Sequence, residues 1–152
     1  MTRRYFSMLK AKSGMRGLSV VSLMLAGFAC AGPVNSDGGA FTGAWRLEHV
    51  KGASGFDASI TSMELRADGG FGSTVGCNRI VGKPKIEGEK VSFGALASTR
   101  MACIGPIAEV ETKYLAALNA ARSFHVNGEW LTLLDESGDE LAVFARVTNG
   151  KN

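Results

Sequence analysis

Pro106-Ile-Ala-Glu-Val-Glu-Thr-Lys-Tyr-Leu-Ala-Ala-Leu-Asn-Ala-Ala121 is the stretch on which the fold turns. Ile107, Val110, Tyr114, Leu115, Leu118 and Ala121 recur at helical spacing, with Glu109, Glu111 and Lys113 between them. Residues three and four apart share a face when a turn takes 3.6 residues, so the spacing predicts an amphipathic helix of about four turns. Pro106 suits the first turn, where a missing N–H would be unpaired anyway, and Gly105 stands at the cap position. The apolar stripe reads as core. Burying each of its four largest side chains contributes about 1.5–3 kcal/mol, a large share of a small domain's net stability. Glu109 and Glu111 read as part of the solvated face.

Outward from this helix, the chain from Gly43 onward consists of short alternating runs broken by Gly and Asp, the signature of half-buried antiparallel strands. Trp45, Leu47 and His49 fall on one face of the first run. Ile60, Met63 and Leu65 mark a second, which Asp68-Gly69-Gly70 hands to residues 71–75 as a hairpin. Residues 83–87 and 90–93 flank a turn at Gly88-Glu89, and residues 131–134 pair with 141–146 across 135–140. One helix among antiparallel strands makes the fold α+β, with the sheet wrapped over the helix. No internal repeat, low-complexity tract or second domain interrupts it.

The N-terminus reads differently. Five basic residues, Arg3, Arg4, Lys10, Lys12 and Arg16, precede the first acidic residue, Asp37. The uncharged apolar run 18–29 follows, shorter than the roughly 18 residues a spanning helix requires. Residues 1–30 are therefore expected to be a secretion signal, placing the mature protein in the periplasm or on the outer membrane. Two processing routes stay open. Ala29-Cys30-Ala31 suits a general signal peptidase, whereas lipidation of Cys30 would attach the protein to a membrane. Gly27-Phe28-Ala29-Cys30 carries a ring where a lipobox has a small residue, and Thr2-Arg3-Arg4-Tyr5-Phe6 resembles a twin-arginine signal. Residues 31–42 then form a flexible tether, 43–147 the domain and 148–152 a tail.

The whole chain carries a net charge of +3, but residues 31–152 hold 12 basic and 14 acidic residues, giving −2. Without a clustered basic face, nucleic-acid binding is not expected. Of the three cysteines, Cys77 and Cys103 fall in the domain, and in an exported protein two thiols most simply form a disulfide; two separate buried thiols are the alternative. A bridge would pin the start of the helix to the sheet. No Cys-x-x-Cys or His-x-x-x-His spacing marks a metal site, and His49 and His125 stand apart from any nucleophile motif. Gly69-Gly70-Phe71-Gly72 opens a strand rather than a helix, so it is no phosphate cradle. The expectation is a non-enzymatic protein without metal or cofactor.

Several motifs together resemble the META domain, also called the heat-shock protein HslJ family. They are Gly43-Ala-Trp45-Arg-Leu47, Gly76-Cys77-Asn78 with Gly82, Ala97-Ser98-Thr99-Arg100-Met101-Ala102-Cys103, and Glu109 with Tyr114 and Leu118. The closing Leu131-x-Leu133 and Gly138-x-x-Leu141-x-x-Phe144-x-Arg146 fit as well. The resemblance implies a strongly curved antiparallel sheet, shaped like a partly open barrel, packed around one helix. It implies structural roles for Trp45, Gly76, Asn78, Thr99, Arg100 and Met101 and no catalytic residues. Pro84 departs from the pattern, standing where relatives place an aromatic, so its strand is expected to lie at an edge or to start later. Family members are commonly envelope proteins linked to stress, antibiotic tolerance or virulence. The implied function is a binding module for an envelope protein, a peptide or a small apolar ligand, which would meet the concave side or an exposed edge of the sheet. The alternatives are a small inhibitor or chaperone-like partner of another exported protein, or a hydrolase of envelope material using His49 or His125.

Overall fold

Apolar side chains at every second position press one face of most strands inward, and the computed structural model, which describes residues 39–148, closes those faces over the helix. Residues 1–30, expected to be a secretion signal and containing Cys30, residues 31–38 of the expected tether and the last four residues lie outside the described residues. The strands are β1 Gly43–Val50, β2 Ser62–Leu65, β3 Phe71–Thr74, β4 Arg79–Gly82, β5 Lys85–Glu87, β6 Lys90–Ser92 and β7 Ala97–Ser98. Helix α1 Pro106–Ala120 follows, then β8 Ser123–Asn127, β9 Trp130–Leu134 and β10 Glu140–Arg146. All ten form one antiparallel sheet in the order β5-β6-β8-β9-β10-β1-β2-β3-β4-β7, strongly curled into a half-barrel. The β2–β3 hairpin turns at Gly69, whose φ of +78° favours glycine, and the Asp68 carboxylate accepts from Gly70 N at 2.8 Å.

The concave side, one of the two surfaces expected to receive a ligand, is instead filled by core side chains. Trp45, Leu47, Met63, Phe71, Tyr114, Leu118, Leu131, Leu133 and Phe144 are fully buried there, and α1 packs on β1, β9 and β10. Trp45 Nε1 donates to Phe41 O at 2.8 Å, while the Arg146 guanidinium lies 4.1 Å from the Trp45 ring centroid. Tyr114 shares a 2.7 Å hydrogen bond with Ser73 Oγ, which also bonds Ser62 O. Burial pushes the Tyr114 phenol above its ordinary range, and the bond to Ser73 partly offsets that.

Three details differ from the sequence reading. A bulge between Leu47 and His49 turns His49 outward and brings Val50 into the core. Ile60 is not a strand residue but ends a short 3-10 turn, Ala58–Ile60, and is 48% exposed. Thr61 replaces it inside, where its Oγ1 accepts from Leu47 N at 2.9 Å and donates to Ala58 O at 2.8 Å. Phe41, assigned to the tether, is buried against Phe93 and Phe124, so the packed structure starts before Gly43. At Pro84 both stated alternatives hold: β5 starts one residue later, and it is an edge strand.

Candidate functional site

Gly76-Cys77-Asn78 links β3 to β4, and residues 99–103 run from β7 toward α1. These segments meet at Cys77–Cys103, a disulfide with a Cα–Cα distance of 6.1 Å. Gly76 has φ +109°, and a Cβ there would meet Ile60 Cδ1 at 2.5 Å and Ile107 Cδ1 at 3.1 Å. Only glycine lets the chain bend this closely past the helix. Buried Asn78 sits at the centre. Its Nδ2 donates to Glu111 Oε1 at 2.7 Å and faces Cys103 Sγ at 3.1 Å, and its Oδ1 accepts from Thr99 Oγ1 and Met101 N, each at 2.8 Å. Asn78 N donates to Glu111 Oε2 at 2.8 Å, and Arg79 N donates to Thr99 Oγ1 at 2.9 Å.

Glu111 is therefore a buried clamp, not part of a solvated face, and holds the second turn of α1 to the β3–β4 junction. Helix α1 has no side-chain cap at Gly105; the disulfide and this clamp fasten its start instead. Cys77 Sγ, Cys103 Sγ and a Glu111 oxygen lie within 4.8 Å of one another, a donor set of metal-ligand type. With the sulfurs bonded to each other, neither presents a thiolate.

A second feature lies on the outer face of β1 to β4. An open groove of about 640 Å³ is lined by Arg46, Ser62, Glu64, Arg66, Thr74 and Arg79, among others. Arg46 is held by Glu48 through Nε and Nη2, each 2.8 Å from Oε1. Arg66 Nε lies 3.6 Å from Asp68 Oδ1. Among the described residues, the side chains of Glu64 and Arg79 have no ion-pair or hydrogen-bond partner.

The family model described as META domain matches residues 39–148. This chain belongs to the META domain family. No curated protein matches it. An NMR structure of a protein from Burkholderia xenovorans is similar to this META domain at 27% identity and TM-score 0.59, over 70% of this chain and 83% of that one. A second NMR structure, 21% identical with TM-score 0.55, spans 68% of this chain and 88% of the other, and shares the fold. So does a crystal structure of a DUF4847 family protein from Bacteroides vulgatus, with 16% identity, TM-score 0.53 and coverage of 72% and 95%.

Within this META domain, the clamp gathers Gly76, Cys77, Asn78, Thr99, Met101 and Cys103. Met101 contributes backbone only; its side chain is 58% exposed. Arg100 is exposed and makes no side-chain bond among the described residues, while Trp45 lies in the core. His49 and His125 are both exposed, on β1 and β8, and His125 Nδ1 faces Glu89 at 3.7 Å. Glu111 is the clamp residue that sequence reading missed. The outer groove was missed as well, although Gly72 at an outward-facing position of β3 marks it. Among the described residues, no helix is long and apolar enough to cross a membrane.

Proposed function

We propose that this META domain is an exported, non-catalytic binding module of the cell envelope, oxidised at Cys77–Cys103, that meets its partner through the outer face of β1 to β4. One contrast carries this reading. Asn78, Thr99 and Glu111 satisfy one another's hydrogen bonds inside the clamp, whereas the groove presents Glu64 and Arg79, which have no side-chain partner among the described residues. A buried, satisfied network specifies structure, and unpaired charge along a cleft is available to a ligand. The N-terminal charge pattern and the two-cysteine domain support export to an oxidising compartment. A role in envelope stress or antibiotic tolerance is the expected physiological setting.

Photocrosslinking in living cells tests the reading, with the reactive group placed at Thr74 in the groove or at Glu136 in the β9–β10 loop. An envelope component captured from Thr74 and not from Glu136 is expected. Absence of any product from Thr74, with unchanged stress and drug sensitivity on deletion, overturns it.

A further inference from the structure

We infer that the groove on β1 to β4 is a site for a small organic anion, a carboxylate- or phosphate-bearing molecule that also carries hydroxyl groups. The inference rests on the binding reading above and specifies the chemistry of its ligand. The strand register builds the site. Ser62, Thr74 and Arg79 stand opposite one another across β2, β3 and β4 and face outward. The next outward row is Glu64, Gly72 and Val81, and its middle position has no side chain. A Cβ at Gly72 would find only Arg66 Nη1, at 3.8 Å. Beyond it, the Arg66 guanidinium folds back over Gly70, into the space a side chain there would fill. The result is a trough floored by β3 backbone, with hydroxyls at one end and a guanidinium at the other.

The charges favour an anion although residues 31–152 carry a net −2. Among the described residues Arg79 is unpaired, Arg66 approaches Asp68 no closer than 3.6 Å, and Glu64 is the one acidic residue among the lining side chains. Guanidinium forks match carboxylate and phosphate oxygens in geometry and charge. Thr74 Oγ1 accepts from Gly76 N at 3.1 Å, which leaves its O–H to donate into the trough. At about 640 Å³ the space is that of a small-molecule cleft rather than of a bare ion. Glu64 offers an acceptor to a ligand hydroxyl.

Amide-resolved NMR titration of the oxidised mature protein with glucuronate and with glucose 6-phosphate tests the proposal, with glucose as the uncharged control. Both anions should shift the amides of Ser62, Gly72 and Thr74, more weakly as salt is raised, and glucose should not. The tighter of the two identifies the acid group. R66Q and R79Q, both at exposed side chains, should each weaken binding about tenfold, the loss of one charge-assisted contact. E64Q should strengthen it. G72V fills the trough at a position with ordinary backbone and ordinary van der Waals space, so it should fold and lose binding. Equal shifts with glucose, no shifts with either anion, or affinity unchanged in R66Q/R79Q each overturn the proposal. Thr74 crosslinks that persist in R66Q/R79Q leave the binding reading standing and remove the anion.

Discussion

Replacing Asn78 with Asp isolates the clamp, because it preserves Oδ1 and its bonds to Thr99 and Met101 and changes only the group that faces Glu111. The amide N–H to carboxylate bond, 2.7 Å in the native domain, becomes an oxygen against an oxygen. Losing a hydrogen bond to a charged acceptor costs about 1.5–3 kcal/mol. Two carboxylates a few ångströms apart add repulsion of up to about 4 kcal/mol at an effective dielectric near 20. N78D should therefore lose about 3–6 kcal/mol. In the N78D background, E111Q should restore about 2 kcal/mol, since its amide donates where Asn78 did. Urea denaturation of the four members of this cycle, with the disulfide intact, measures the coupling. A cost below about 1 kcal/mol for N78D, or additive losses in the double variant, would refute the clamp as the element joining α1 to the sheet.

C77S/C103S should lower stability by about 3.5 kcal/mol on the chain-entropy relation, given the sequence separation of 26, and reduce Tm by about 15–25 °C in a calorimetric scan. Tyr114 is the single tyrosine of residues 31–152, since the other is Tyr5. Its folded pKa lies above the unfolded value of about 10, so its contribution is complete below that pH and is lost as pH rises above it. Ultraviolet titration should therefore show tyrosinate appearing together with alkaline unfolding, and Y114F should shift that unfolding to higher pH. T61V should cost about 1–2 kcal/mol and speed hydrogen exchange at Leu47 N, which would lose its acceptor; unchanged exchange there would contradict the assignment.

The helix was legible because one apolar stripe repeats over four turns, and the disulfide because the domain holds only two cysteines. Glu111 was not: an acidic residue on an amphipathic helix looks solvated, and the Asn78 that buries it lies 33 positions upstream. His49 was placed on the wrong face because a single-residue bulge inverts the period and leaves no mark in composition. Ile60 suffered from the same rule, since Thr61 serves Leu47 N better than an apolar side chain can. β7 was too short, and β8 too weakly patterned, to delimit by alternation. The groove depends on which residues stand opposite Gly72 across three strands, and register of that kind emerges only when the sheet is assembled.

Peptide mapping of the protein recovered from cells whose thiols were blocked at lysis bears most directly on the whole picture. The account predicts a chain beginning near residue 30 with Cys77 and Cys103 joined in one peptide pair. A chain that keeps its N-terminal 30 residues and carries blocked, unlinked sulfurs at both positions would contradict it.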